Sequence, residues 1–400
     1  MASPTHLRNP TYMRAEIFEQ PTALRATIDE LLPRTGEIAA VARATRHVLF
    51  FARGTSDNAA VYGSYLIQTT AGRLASLGAP SVATTYHREL DLTGVLAVVL
   101  SQSGRTQEIV QTLAWAASCG ARTVAITNGA HSELADLADL ALITQAGAEQ
   151  AVPATKTFTC QLAALAVLAI GLGADLDVGQ LRRLPDIVSA QLSAAEADGG
   201  GSGTDGGQLG AMVAELVGVH GLVVSARGLA YSAALELALK IKEACYLHAL
   251  GISWADLQHG PIAVVDSRTP AIIMAADCGP TVGAAVSLAQ RVRGAGARCY
   301  GIGGGEALAA ASDLALPGPP WPGAPGEDAV PEWMAPIGLI VPGQLLTEAL
   351  ARRLGLDPDS PRGLSKVTQT SLYNSTKGPT VACQQHRGTH GGAQGRGGSR

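Results

Sequence analysis

Two stretches of this chain repeat one another. "HVLFFARGTSDNAAVYGSYLI", from His47, and "GLVVSARGLAYSAALELALKI", from Gly221, each read as strand, Ala-Arg-Gly, turn and helix. "VLAVVLSQSGRTQEIVQTLAWAASCGARTVAIT", from Val95, and "PAIIMAADCGPTVGAAVSLAQRVRGAGARCYGI", from Pro270, repeat strand, turn, helix, Gly-Ala-Arg and strand. Short β-rich apolar runs that alternate with helical periods imply βαβ units and a parallel sheet. A pattern that restarts halfway predicts two α/β domains of one fold.

The remaining elements fit that frame. Met13 to Leu32 reads as a helix interrupted at Pro21. His47–Ala52 is a strand, followed by a Gly-Thr-Ser turn and a helix from about Asn58. Val95–Leu100 is a strand that leads into "SQSGRT" and a helix through Ser118. Arg122–Asn128 and Leu140–Gln145 are further strands. "AEADGGGSGTDGGQLG", from Ala195 to Gly210, has no apolar face and reads as a linker. The expected organisation is an N-terminal helical segment (1–34), a first domain (35–185), a linker (186–210), a second domain (211–355), a C-terminal segment (356–372) and a tail (373–400). The tail is rich in Gly, Gln and His and is expected to be disordered. His386 and His390 in it are expected to face solvent, not a metal.

With 47% hydrophobic and 16% charged residues, the chain can build a sizeable core. A net charge of −4 and only 4% aromatics give neither a basic field nor stacking platforms for nucleic acid. Cys119, Cys160, Cys245, Cys278, Cys299 and Cys383 are scattered without a CxxC pair, which suits free thiols in a reducing compartment. The start of the chain has no signal-peptide core, and "QLAALAVLAIGLGADL" is too short to cross a bilayer. A cytoplasmic protein with no membrane partner is expected.

In a parallel sheet, ligands bind off the carboxyl ends of the strands. "SQSGRT" stands at such an end and opens a helix. Backbone N–H groups there, with the hydroxyls of Ser101, Ser103 and Thr106 and the amide of Gln102, could satisfy several phosphate oxygens. A helix cap would need only one of these hydroxyls, Ser103. The second copy has Ala276-Asp277-Cys278-Gly279-Pro280-Thr281 at the same place, so folding alone does not require the hydroxyls. Thr55 and Ser56, in "ARGTSDN", could reach the same anion or serve as caps. In "LELALKIKEACYLHA", Glu236, Lys240 and Glu243 share one helix face at i, i+4, i+7. They read equally as an ion pair on a solvated face or as a general base beside a lysine. His259, in a His-Gly-Pro turn before a strand-like run, reads as structural or as a proton carrier.

Taken in order, "EIFEQP", "ARGTSDNAAVYG", "SQSGRT", "AGAEQAVPATKTFTCQLAAL", "ALELALKIKEACYLHA", "LQHGPIAVV" and "GLSKVT" resemble the sugar isomerase (SIS) domain proteins in their tandem form. The resemblance covers roughly Ile17 to Thr370; it extends to the isomerase half of glutamine–fructose-6-phosphate aminotransferase and is closer still to the SIS-type glucosamine-6-phosphate deaminases, which share the "SQSGR" and "GLSK" wording. It implies two SIS domains, each a parallel five-stranded sheet flanked by helices, doubly wound and flavodoxin-like but without a nucleotide.

The resemblance also implies roles. Ser101, Gln102, Ser103 and Thr106, with Ser56 and Thr55 nearby, would hold a sugar phosphate, and Val152 would contact the sugar through backbone. Glu243 would move a proton between the first two sugar carbons, and Lys240 would stabilise the charge that develops on oxygen. His259 would assist ring opening from the neighbouring subunit of a homodimer. Lys366 would meet the carbonyl end, as a Schiff base or otherwise. No cofactor or metal is implied. Arg105 stands where the aminotransferases usually carry Glu, and position 2 is Ala, not the cysteine of a glutaminase. The expectation is therefore an aminosugar-phosphate deaminase/isomerase. A galactosamine-phosphate or fructosamine-phosphate enzyme, or a glutaminase-less aminotransferase/isomerase, would use the same motifs. A non-catalytic sugar-phosphate-binding regulator is the alternative of another class.

Overall fold

The computed structural model describes residues 9–199, 206–320 and 330–366. The expected tail at 373–400, with Cys383, His386 and His390, lies outside the described residues. The chain forms two five-stranded sheets in which every named pairing is parallel. The first contains β1 (His47–Phe51), β2 (Leu74–Leu77), β3 (Val95–Leu100), β4 (Arg122–Thr127) and β5 (Leu140–Ile143), in the order β2-β1-β3-β4-β5. The second contains β6 (Gly221–Ala226), β7 (His248–Ser253), β8 (Ala271–Ala275), β9 (Cys299–Gly303) and β10 (Leu314–Leu316), in the order β10-β9-β8-β6-β7. Read from the other edge, the second order is the first one again. This is the 2-1-3-4-5 winding of flavodoxin-like sheets.

Alternation along the strands divides the core. Leu96, Val98 and Leu100 of β3 pack into a large central core, whereas Ala97 and Val99 pack on the other side against Ile109, Val110 and Leu113. A run apolar on both faces is what a parallel strand covered by helices requires. Leu222, Val224 and Met274 of the second sheet join the same central core. The helices Thr55–Thr70, Lys156–Gly171, Tyr231–Cys245 and Ala335–Arg353 supply many of its other members. Lys156–Gly171 is buried from Lys156 through Ala169, which accounts for its apolar composition without a membrane. Among the described residues, no helix is long and apolar enough to cross one.

Four expectations change at element ends. The N-terminal helix is two helices, Tyr12–Phe18 and Gln20–Leu31, which break at Glu19; Pro21 lies in the first turn of the second, where its missing N–H costs nothing. The helix after β1 starts at Thr55, not Asn58, because Gly54 turns the chain at φ 58°. The stretch read as a linker, 186–210, is helical over much of its described length. Val178–Asp198 runs through it, started by Asp177 Oδ1 accepting from Gly179 N at 2.7 Å, and Gly207–Leu216 begins before it ends. Its alanines favour helix more strongly than its glycines suggest. The strand-like run after His259 is a 3₁₀ turn, Pro261–Val264, set by Gly260 at φ 133° and by a proline that cannot donate to a ladder.

Candidate active site

The order of the first sheet reverses between β1 and β3, so the turns after these two strands diverge and leave a crevice. A cavity of about 350 Å³ occupies it, lined by Arg53–Ser56, Ser101–Ser103 and Thr106, by Val152 and Ala154, by Lys240 and Glu243, and by Leu364–Lys366. Every candidate residue except His259 and Glu236 lines this one space. Segments from both halves of the chain and from its C-terminal part build it.

In the turn after β3, Gly104 takes φ 63°. A side chain there would collide with Ser132, so only glycine lets the turn close. Ser101 Oγ accepts from Gly104 N at 3.2 Å, and Ser103 Oγ accepts from Arg105 N at 3.3 Å. Each hydroxyl keeps its own proton to donate outward. The helix cap is Thr106, not Ser103, and the Thr106 side chain makes no cap hydrogen bond. Asn128 N donates to Gln102 O at 3.0 Å and fixes that peptide. Arg53 adds a guanidinium, held by Glu108 through Nη2–Oε1 at 2.8 Å and Nε–Oε2 at 3.1 Å. The site thus offers hydroxyl donors, an amide and a cation, the groups that bind a phosphate.

The equivalent turn of the second sheet differs. Asp277 Oδ1 accepts from Gly305 N at 2.9 Å, and Glu332 lies beside Thr281. Burial raises the Asp277 and Glu332 carboxyls. Carboxylates there oppose an anion, as the sequence comparison of the two turns implies.

Glu236, Lys240 and Glu243 do share a face of the Tyr231–Cys245 helix, but it is not solvated. The side chains of Glu236 and Lys240 are 0% and 1% exposed, and that of Glu243 is 22% exposed. Lys240 Nζ lies 3.3 Å from Glu236 Oε1 and 2.5 Å from Glu243 Oε2. Burial raises the Glu236 carboxyl against the pull of Lys240. Burial would lower Lys240, but the two carboxylates outweigh it and raise it. Thr55 Oγ1 donates to Glu236 Oε1 at 3.0 Å and accepts from Lys240 Nζ at 3.0 Å. Its proton is therefore directed at Glu236, not at an anion, which places Thr55 with the helix triad. Ser56 Oγ accepts from Gln161 Nε2 at 3.0 Å and retains a proton for the cavity.

Lys366 Nζ donates to Glu149 Oε2 and to Ala151 O, both at 2.6 Å. Glu149 is fully buried yet its carboxyl is lowered. Burial pushes it up, but Lys366, Thr155 N at 2.9 Å and Thr157 Oγ1 at 2.7 Å outweigh that. Val152 N donates to Asp359 O at 2.9 Å, so its N–H is engaged within the fold. His259 caps the Trp254–Gln258 helix, is exposed and does not line the cavity. Among the described residues, no group of three His, Cys, Asp or Glu could hold a metal ion.

The sequence reading weighed Glu236, with Lys240 and Glu243, as an ion-pair member or a base and passed over Glu149, Arg53, Asn58 and Gln161. Asn58 Nδ2 donates to Glu236 Oε2 at 2.8 Å. A carboxylate beside apolar residues was the available signal for Glu149, since a buried acid needs a partner from elsewhere.

Residues 42–171 match the SIS domain. The glutamine–fructose-6-phosphate aminotransferase [isomerizing] of Pyrococcus horikoshii is 33% identical over 363 residues, which is 89% of this chain and 57% of that protein. The chain thus spans little more than half the length of the curated relatives it matches. The C-terminal domain of glucosamine-fructose-6-phosphate aminotransferase from Francisella tularensis superposes with a TM-score of 0.75 at 27% identity, covering 88% of this chain and 98% of that one. Glucosamine-6-phosphate deaminase from Thermotoga maritima shares the fold, with a TM-score of 0.70 at 22% identity over 90% of this chain and 100% of that one. The chain carries a SIS domain over residues 42–171 and is a homologue of proteins named isomerizing glutamine–fructose-6-phosphate aminotransferase.

Proposed function

We propose that the chain is an aminosugar-phosphate deaminase/isomerase that converts glucosamine 6-phosphate and water to fructose 6-phosphate and ammonia. The observation that carries this reading is one cavity that joins the hydroxyl-rich turn after β3 to the Glu243–Lys240 pair. Ser101, Gln102, Ser103 and Thr106 hold the phosphate, with Ser56 and Arg53 beside them. A fixed phosphate positions the open-chain sugar so that its first two carbons meet Glu243.

Glu243 takes the proton from the second carbon, and the negative charge that develops on the first oxygen is stabilised by Lys240. Glu243 then returns the proton to the first carbon, as a proton from the amino nitrogen passes to the first oxygen. The ketimine left at the second carbon adds water and loses ammonia. Glu243 can serve as base because it is the more exposed of the two carboxylates on Lys240, while Glu236 keeps the ammonium charged. The pairing of Lys366 with buried Glu149 favours an ammonium that binds the sugar's oxygens over a Schiff-base amine.

The second sheet, with its matching strand order, is read as a second SIS domain that supplies the base but not the anion turn. His259 is exposed on it, which suits a homodimer in which each histidine completes the partner's cavity. Purified protein mixed with a panel of amino- and glycated-sugar phosphates, assayed for ammonia and ketose, tests the reading. Release of both from glucosamine 6-phosphate supports it; binding without turnover of any member returns the chain to a sugar-phosphate sensor.

A further inference from the structure

The Tyr12–Phe18 helix belongs to neither sheet, yet one of its side chains reaches the wall of the cavity. Glu16 is 3% exposed. Its oxygens divide between successive backbone N–H groups: Gln150 donates to Oε1, and Ala151 to Oε2 at 3.3 Å. On one side of these two residues stands Glu149, which pairs with Lys366; on the other stands Val152, which lines the cavity. Ala151 O also accepts from Lys366 Nζ. One short peptide is therefore tied to Glu16, to Lys366 and to the cavity.

The helix that carries Glu16 is fixed in turn. Asp359 accepts from Tyr12 N at 2.8 Å and from Met13 N at 2.7 Å, and Thr11 Oγ1 donates to Glu348 at 2.8 Å. Asp359 O accepts from Val152 N as well, so the helix and the cavity-lining peptide share an anchor.

We propose that Glu16 is a positioning residue for the site: as a carboxylate it holds the 150–151 peptide, and through it Val152 and Lys366, in the geometry the substrate needs, and on protonation it loosens them. This inference rests on the sugar-phosphate reading of the cavity. Glu149, Lys366 and Lys156 face Glu16. Lys156 is itself held by Glu19 at 2.5 Å, and Glu348 on the packed Ala335–Arg353 helix is paired with Arg352 and near Arg14. Burial pushes the Glu16 carboxyl up, the Gln150 amide opposes it, Glu149 adds to it and the two lysines oppose it; it settles at about 7. Above that pH both oxygens accept. Below it one oxygen carries a proton and its amide contact weakens.

Amide exchange at Gln150 and Ala151, corrected for the intrinsic pH dependence of exchange, tests the proposal in the full chain. It is followed from about pH 5 to about pH 9 in wild type and Glu16→Gln, with kcat and KM for glucosamine 6-phosphate measured alongside. In wild type, protection against openings that break these amide contacts while Glu16 stays buried should rise about tenfold through neutrality, the equivalent of one hydrogen bond, because the Gln150 amide lowers the carboxyl that burial raises. Global unfolding, which releases Glu16 to water, has the opposite slope. In Glu16→Gln the rise should vanish, and so should the matching step in kcat/KM. A flat wild-type profile, or the same rise in both proteins, overturns the proposal. If Glu16→Gln does not fold, the wild-type profile decides alone. If no sugar phosphate turns over, the proposed reaction falls while the exchange profile still decides the role of Glu16.

Discussion

The Lys240 ammonium lies 2.5 Å from the Glu243 carboxylate, one turn back on the same helix, with Glu236 3.3 Å away on its other side. Lys240 therefore has two tasks: it neutralises a carboxylate that sees no solvent, and it places positive charge beside the proposed base. Lys240→Met should destabilise the fold by about 3–5 kcal/mol, because it leaves Glu236 buried and unpaired. Adding Glu236→Gln to that variant should restore most of the loss but not the activity. Urea denaturation of the single and double variants, with turnover measured on each, checks both halves.

Thr55 and Ser101 lie in one cavity but bond to different partners. Thr55→Val removes the hydroxyl that bridges Glu236 and Lys240 and should cost about 1–3 kcal/mol of stability. It should lower kcat while leaving the preference for phosphorylated over unphosphorylated sugar intact. A comparison of the two sugars with the variant reads this out.

Ser101→Ala and Ser103→Ala should do the reverse. On the proposed reading each removes a donor to the phosphate, worth about 1.5–3 kcal/mol for a hydrogen bond to a charged group, so KM for the sugar phosphate should rise about 10- to 100-fold. Turnover of the unphosphorylated sugar should change little. Steady-state kinetics on both substrates checks the prediction.

What the sequence disclosed and what it hid divide by chain distance. The turn after β3 was legible because strand, glycine, hydroxyls and helix all lie within a few residues, and its repeat supplied a contrast. The partners of Glu236 were not, because Asn58 and Thr55 stand 178 and 181 residues away. Glu149 depends on Lys366, 217 residues on, and the partner of Glu16 lies 134 residues on. A carboxylate's burial is a tertiary fact, and periodicity reports only which residues share a helix face. The start of the Thr55–Thr70 helix was missed by three residues because a glycine at positive φ let it begin earlier than its apolar pattern suggested.

The buried acids of the lysine-rich wall predict opposite pH responses. Glu16 is raised from 4.5 to about 7, so the folded state binds a proton that the unfolded chain releases. Its favourable contribution is complete below about pH 4.5 and is lost as pH rises through 7. Glu16→Gln should flatten that slope by about 2–3 kcal/mol between these limits, as thermal or urea unfolding at several pH values would show. Glu149 is lowered, so its contribution is present above 4.5 and is lost as pH falls through its folded value. Glu149→Gln should therefore weaken the protein at neutral pH and make it less sensitive to acid.

One comparison tests the proposed proton transfer by Glu243 most directly: ammonia and fructose 6-phosphate released from glucosamine 6-phosphate by wild type and by Glu243→Gln. The side chain is partly exposed, so the variant should fold, bind the sugar with a similar KM and lose about 10²–10⁴ in kcat. Full activity of Glu243→Gln would contradict the assignment.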